Sequence, residues 1–177
     1  MKKRDIWISV AIIAAAVLLL YSYSQGKSQK GQIKIDAGGA AAKLQLAGGL
    51  FNKATINSGA EPTTVSARAH RPEQLSLSMK QGGDTWRIDS SGPWGKLSTI
   101  KVKDNETTRL EIGLPFLIKP SISKSSSLVS IGLSIFGRAG VHYSAAITKN
   151  GKRLAPPKLK IVDETGNVLA SGKFEYG

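Results

Sequence analysis

The sequence predicts an all-β ectodomain, made of one or two antiparallel β-sandwich modules, behind an N-terminal transmembrane helix. Beyond residue 30, apolar residues alternate with polar ones in short runs, which is the period of half-buried strands. Gly, Asn, Asp and Pro end these runs about every eight to twelve residues, as in sandwiches and barrels. A single long apolar stretch occurs, at residues 6–23, and it is the reason for predicting a membrane helix.

The N-terminal segment has the length and the flanking charge of a membrane anchor. Lys2, Lys3 and Arg4 precede an uncharged run of 18 residues, and a spanning helix needs at least about 17. Basic residues tend to stay in the cytoplasm, so residues 1–5 are predicted to form a cytoplasmic tip and the remainder to be exported. The side chains predicted to anchor the helix are Ile6, Trp7, Ile12, Val17, Leu20, Tyr21 and Tyr23.

The same segment also fits a cleaved secretory signal. Its apolar core, residues 6–20, has 15 residues, and Ser22 and Ser24 stand where small residues precede a cleavage site. We favour retention, because there is no Ala-x-Ala and two tyrosines end the run as interfacial anchors do. The predicted location is the inner membrane, single-pass, with the β domain extracytoplasmic; cleavage near Ser24 would make the protein secreted.

Residues 24–31, "SQGKSQKG", are predicted to be a flexible stalk, because these residue types cannot bury enough apolar area to become ordered. The chain has no cysteine, which excludes disulfides, thiolate chemistry and a lipid-modified cysteine.

Residues 32–113 are predicted to form the first β-sandwich module. In its last part, Ile100 and Val102 share one face of a strand, "DNE" turns the chain, and Thr108, Leu110 and Ile112 resume the apolar face, which predicts a hairpin. Earlier in this module, Trp86 alternates with Ile88 and is predicted to lie in the core.

Residues 114–177 are predicted to form the second module. The stretch "GLPFLIKPS" is the candidate boundary, since Pro115 and Pro120 interrupt a strand ladder; a connection inside one larger sandwich is the alternative. Two strands are predicted to bury one face each, the first with Val129, Ile131, Leu133 and Ile135, and the second with Val141, Tyr143, Ala145 and Ile147.

Two hairpins are predicted near the C-terminus. "KNGK" contains Asn150 and Gly151, which supply the positive φ angles of a tight hairpin turn. In the closing hairpin, Leu159 and Ile161 face inward and "DETGN" turns the chain. The returning strand is predicted to fill the core with Val168, Ala170, Gly172, Phe174 and Tyr176.

Two stretches resemble known families. The stretch "GKLSTIKVKDNETTRLEIG" resembles the last hairpin of the carboxypeptidase regulatory-like (transthyretin-like) β-sandwich domains. The C-terminal "NGKRLAPPKLKIVDETGNVLASGKFEYG" is similar to the closing strands of immunoglobulin-like accessory modules on bacterial envelope proteins. These resemblances imply a binding or spacer module without chemistry of its own, and they assign no role to a particular residue.

The formal net charge of the chain is +13. Without Lys2, Lys3, Arg4 and Asp5, the 25 basic and 12 acidic residues become 22 and 11, so the exported part carries +11. Such a charge attracts acidic polymers or anionic surfaces, but the basic residues are scattered, and we favour a solvated surface. No nucleic-acid-binding module is recognisable, so nucleic acid is not an expected partner.

No catalytic or metal-binding constellation is visible, and we expect neither an enzyme nor a cofactor. His70 and His142 lie in separate predicted strands, and neither has a second His or a Cys at the spacing of metal ligands. Both are expected to be exposed strand histidines. The chain also lacks the "GxSxG" nucleophile elbow.

The predicted contact residues for a ligand or partner are Trp94, His70 and Arg71. Trp94 lies in "SSGPWGK", where an exposed indole would stack on a sugar or anchor a protein; we favour the alternative that it folds back and plugs one end of a sandwich. The function expected is that of a non-catalytic, membrane-anchored protein that binds or positions another envelope component. A glycan-binding module that uses Trp94 and basic loops is the second hypothesis.

Overall fold

The computed structural model of the protein describes residues 29–48, 53–126, 128–144 and 146–175, and in these residues the fold is all-β. The strands before residue 102 are β1 (Lys30–Asp36), β2 (Ala41–Leu46), β3 (Ala54–Asn57), β4 (Thr63–Ser66), β5 (Ala69–His70), β6 (Pro72–Gln81), β7 (Asp84–Ser90) and β8 (Ile100–Lys101). The later strands are β9 (Thr107–Glu111), β10 (Leu117–Ser125), β11 (Leu128–Phe136), β12 (His142–Tyr143), β13 (Thr148–Lys149), β14 (Lys152–Arg153), β15 (Lys158–Val162) and β16 (Val168–Lys173). A 3₁₀ turn lies at Gly95–Leu97.

No helix in these described ranges is long and apolar enough to cross a membrane. The predicted anchor at residues 6–23 lies outside the described residues, as does most of the predicted stalk.

The strands of the described residues form five sheets. The largest has the order β14-β13-β7-β6-β2-β3, and the next contains β4-β1-β9, in which β1 and β9 run parallel. A third sheet has the order β10-β11-β12, and the pairs β15-β16 and β5-β8 complete the set. All pairings other than β1 with β9 are antiparallel.

Alternating apolar residues of the six-stranded sheet and of the β4-β1-β9 sheet supply most of one hydrophobic core. In β1, Ile33 and Ile35 are buried while Lys34 between them is exposed, because successive side chains point to opposite faces. The largest fully buried side chains are Tyr143, Ile33, Leu44, Leu46, Ile56, Leu75, Ile112 and Val141. Trp86, predicted to be core, shares the face of Ile88 but is only half-buried.

The core extends across the predicted boundary near residue 114. Ile135, Ala139, Val141 and Tyr143 belong to the same buried cluster as the residues of β1 and β2. Arg138 ties the two parts together, since its guanidinium donates to the carbonyl of Asp36 at 2.7 Å and to that of Ile112 at 3.2 Å. This shared core favours the alternative in which the proline-containing stretch connects parts of one larger assembly.

The prediction of a hairpin over residues 100–112 is wrong. Asp104 and Asn105 do turn the chain, and Ile100, Val102 and Leu110 are buried as predicted. However, β8 pairs with β5, and β9 pairs in parallel with β1. The stalk prediction is also wrong at its end, because Lys30 and Gly31 are part of β1 and Gly31 is buried.

The strand predicted at "VHYSAAIT" is divided between two sheets. Tyr143 in β12 pairs with Ile135, whereas Thr148 in β13 pairs with Arg87 of β7. The chain leaves the β10-β11-β12 sheet after β12, where the amide of Ser144 donates to the carbonyl of Asp89 at 2.9 Å. Val141 and Tyr143 are buried as predicted, and Ala145 lies outside the described residues.

Both predicted C-terminal hairpins are confirmed as pairings. Asn150 and Gly151 have φ angles of 50° and 76° in the turn that joins β13 to β14, and β15 pairs with β16. The prediction that β16 fills a core is wrong, since all six of its residues are exposed; Phe174 is half-buried, and Tyr176 lies outside the described residues.

Asp36 is the centre of a charged cluster at the end of β1. Its carboxylate accepts from Arg109 at 2.9 Å and from Arg138 at 3.0 Å, and the amide of Gly38 donates to it at 3.1 Å. Hydrogen bonding by Arg109, then by Gly38 and Arg138, holds the pKa of Asp36 well below its usual value.

We expect Asp36→Asn to destabilise the fold at neutral pH. A depressed pKa in the folded state means that the carboxylate stabilises the fold above its unfolded pKa of about 3.9, and that this contribution is lost as the pH falls further. The difference in urea midpoint between variant and wild type should therefore be large at pH 7 and smaller at pH 3. Glu61→Gln, at an exposed position, is the control, and a pH-independent difference for Asp36→Asn would contradict the assignment.

Candidate functional site

An open cleft lies between the β10–β11 hairpin and the β15–β16 hairpin, and it encloses about 650 Å³. Five consecutive residues of β11, from Val129 to Leu133, form one side. The other side is formed by Pro157, Leu159, Ile161, Ala170, Ser171, Gly172, Lys173, Phe174 and Glu175. The cleft is therefore a groove between two strand pairs.

The β10–β11 hairpin has one apolar and one polar face. Cross-strand partners share a face, and the pairs Ile118 with Ile135, Pro120 with Leu133, and Ile122 with Ile131 make a continuous apolar stripe. The intervening pairs are mainly polar, as in Ser123 with Ser130. The regular alternation of Ser with branched apolar residues produces this division.

The predicted burial of the apolar face of β11 is wrong for most of its length. Ile135 is 7% exposed at the base of the hairpin, but Val129 near the tip is 55% exposed. On β10, the exposed fraction of Ile122 is 72%. The base of the hairpin, at Ile135, belongs to the buried core, whereas the residues toward its tip lie outside that core.

The β15–β16 hairpin places a second apolar face at the cleft. Leu159 pairs with Gly172, and Ile161 pairs with Ala170, so these four residues share one face. All four line the cleft, as do Ile131 and Leu133 from the opposite hairpin. The two apolar faces thus border one partly open space. The prediction that Leu159 and Ile161 face a core is wrong, because both line this open cleft and Ile161 is exposed.

One edge of β11 has no strand partner within the described ranges. β10 pairs with β11 from Leu128 to Phe136, whereas β12 pairs only with Ile135 and Phe136. The edge of β11 from Leu128 to Ser134 therefore keeps unpaired peptide groups in this part of the chain. Such an edge is a template for another strand.

The four strands of these hairpins carry only positive charge. They contain five lysines and no Asp or Glu; the lysines are Lys119, Lys124, Lys158, Lys160 and Lys173. The ion pairs formed among the described residues involve none of them. Lys119 lies over the ring of Phe136, with its Nζ 5.3 Å from the centroid.

Acidic residues flank these strands: Glu175 lines the cleft just after β16, and Asp163 lies in the turn between β15 and β16. Its carboxylate accepts hydrogen bonds from the hydroxyl of Thr165 at 2.7 Å and from the amide of Asn167 at 2.8 Å. These side-chain and backbone donors, Thr165 first, lower the pKa of Asp163 to about 2. The carboxylate is thus engaged within its own turn.

The three residues predicted to contact a ligand are not part of this cleft. Trp94 is half-buried and packs against the core. Arg71 is exposed after β5. The expectation of an exposed His70 is wrong, because its side chain is 4% exposed and its Nε2 lies 2.8 Å from the carbonyl oxygen of Ser66.

His142 is half-buried, and its ring centroid lies 5.3 Å from that of Phe136. It alternates with the buried Val141 and Tyr143, and so points away from the core as predicted. Within the described part of the chain, no group of three or more His, Cys, Asp or Glu residues is placed to hold a metal ion.

The arrangement at the cleft provides apolar contact, charged side chains at Lys173 and Glu175, and unpaired backbone groups, which are the elements of noncovalent recognition. Sequence reasoning missed this site, although the signal was present as two apolar hairpins with lysines and no carboxylates in their strands. The chain matches no protein-family model, and no curated protein or solved structure matches it either.

Proposed function

We propose that this protein is a non-catalytic, membrane-anchored extracytoplasmic β-sandwich protein that binds and positions another envelope component, and that the partner docks in the cleft between the two C-terminal hairpins. The observation that carries the proposal is the exposed apolar surface on both hairpins. Val129 is 55% exposed and Ile161 is 37% exposed, and both line the cleft with Ile131, Leu133 and Leu159. Contiguous exposed apolar patches mark interaction sites in soluble domains.

The basic flank and the uncharged run at residues 6–23 support the membrane-anchored part of the proposal. A short tether beside a rigid β domain would hold the cleft near the membrane surface. The absence of a reactive constellation from the cleft lining, which is mainly apolar with Ser and Gly, supports a binding role.

The test is photocrosslinking in isolated native membranes. A photoreactive phenylalanine analogue at Ile131, which lines the cleft, should yield a discrete adduct with a protein partner. The same analogue at Thr55, exposed on β3 of the largest sheet, is the matched control and should give none. Intact mass of the uncrosslinked chain from the same membranes should include residues 1–24.

Equal labelling from Ile131 and Thr55, or none from Ile131, would overturn the proposal of a cleft-bound partner. An adduct whose added mass is carbohydrate would favour the glycan-binding hypothesis instead. Loss of residues 1–24 from the membrane-associated chain would overturn the anchor.

A further inference from the structure

We infer that the partner enters the cleft as an extended segment that adds a strand to the free edge of β11, and that this segment alternates apolar with acidic residues. The inference rests on the proposed function and specifies its mode. Three features support it. They are the direction in which the peptide groups of β11 point, the consecutive residues with which both hairpins border the cleft, and the charge of the surrounding strands.

The first feature fixes which peptide groups of β11 are available. Two residues connect Ser125 to Leu128, and the residues that close a two-residue hairpin exchange both backbone hydrogen bonds. Alternation along the ladder then directs the peptide groups of Ser130, Gly132 and Ser134 toward β10. The peptide groups of Val129, Ile131 and Leu133 point to the opposite edge, which is the edge at the cleft.

The position of Pro120 is consistent with this hydrogen-bonding pattern, and it makes the outer edge of β10 different from the free edge of β11. It pairs with Leu133 in a position where its missing N–H faces outward from β10. The outer edge of β10 therefore lacks a donor in its middle, and prolines at such positions discourage strand addition. The edge of β11 carries no proline between Leu128 and Phe136, so it is the edge open to a partner strand.

The second feature is that consecutive residues border the cleft on both sides. Side chains alternate across a strand, so a groove over a face would be lined by every second residue. Instead Val129 to Leu133 of β11 and residues 170–175 of the opposite hairpin are contiguous. Strand edges thus flank the groove, and five residues of β11 match about 16 Å of an extended partner.

The third feature determines the chemistry of the occupant. Apolar side chains that point into the groove would meet Ile131 and Leu133 on one side and Leu159 on the other. The four surrounding strands contribute five lysines and no carboxylate; Lys173 lines the cleft, and Glu175, just after β16, is the one carboxylate in its lining. Electrostatic complementarity therefore favours Asp and Glu at the intervening positions of the segment.

The experiment selects nine-residue peptides from a random phage-displayed library on the detergent-solubilised full chain. Enriched peptides should alternate apolar with acidic residues. Binding of a synthetic enriched peptide should weaken at least tenfold in Lys173→Glu. Lys43→Glu, at an exposed position on β2 in a sheet that contains neither hairpin, should bind as wild type does. Enrichment of basic or uncharged peptides, or of none, would overturn the inference.

Amide hydrogen exchange followed by NMR measures directly whether the amides at the edge of β11 become hydrogen-bonded. Addition of the peptide should slow exchange at Val129, Ile131 and Leu133 at least tenfold and leave the outer-edge amides of Ile118 and Ile122 unchanged. Protection of β10 instead of β11 would overturn the inference, and so would protection of the three amides before any peptide is added, because the chain itself would then cover the edge. A protein adduct at Ile131 in membranes, combined with failure here, would refute only the strand mode and leave the proposed function standing.

Discussion

Replacing Tyr143 by Ala is expected to lower the free energy of unfolding by about 3 to 5 kcal/mol, the range for large aromatic side chains removed from a core. Tyr143 is completely buried, and its ring packs edge-to-face on Phe116 with centroids 5.2 Å apart. Burial also raises the pKa of its phenol to about 12, and the buried hydroxyl has no hydrogen-bond partner among the described residues. Urea denaturation followed by tryptophan fluorescence and circular dichroism measures the loss.

Phe174→Ala is the matched control for this substitution. Phe174 is half-buried and follows the exposed strand β16, so its removal should cost less than about 1 kcal/mol. Equal losses at both positions would mean that the closing hairpin is integrated into the main core. A small loss at Tyr143 would contradict the packing of residues 135–143 against β1 and β2.

The sequence predicted the faces of strands more reliably than their partners. Alternation placed Ile100, Val102 and Leu110 correctly on buried faces, because the period of two is a local property. It could not reveal that β9 pairs in parallel with β1, more than 70 residues earlier in the chain. Short turns such as the one at Asn150 and Gly151 were predictable because their φ angles select the residue type.

Burial was overestimated for the C-terminal strands for a related reason. The pattern of β11 correctly identifies Ile131 and Leu133 as one face, but a face is buried only if another sheet covers it. Of the apolar face of β11, only Ile135 belongs to the buried core, and the β15–β16 hairpin leaves an open cleft beside Ile131 and Leu133. The apolar pattern that was interpreted as core is therefore the candidate binding surface.

The candidate contact residues were chosen by residue type alone. In the tertiary structure, two of them are packed in or against the core. His70 is drawn inward because β5 pairs with β8 and its imidazole reaches the carbonyl of Ser66. Trp94 packs against the core from the segment before the 3₁₀ turn. The lysines of the two hairpins were interpreted as a solvated surface, and their significance depends on the neighbouring apolar cleft, which no local pattern specifies.

Gly31→Ala is expected to destabilise the fold by about 1 to 3 kcal/mol, the usual cost of overpacking. A Cβ at Gly31 would lie 2.6 Å from Cγ1 of Val102 and 3.1 Å from the carbonyl oxygen of Glu106, and it would collide with the carbonyl oxygen of Lys103. Two of these three atoms belong to the backbone, which cannot rotate away as a side chain can. The start of β1 would have to separate from the 103–106 turn. The two are joined by a hydrogen bond of 2.8 Å from the amide of Gln32 to the carbonyl oxygen of Glu106.

Gly59→Ala provides the comparison, because a Cβ at Gly59 meets no atom within 4 Å. This second substitution should leave the urea midpoint unchanged, or raise it slightly through the lower entropy of the unfolded chain. The contrast separates steric crowding from the general effect of replacing glycine. If both variants unfold at the wild-type midpoint, Gly31 is part of the flexible stalk that its sequence context predicts, and the docking of β1 against the 103–106 turn is wrong.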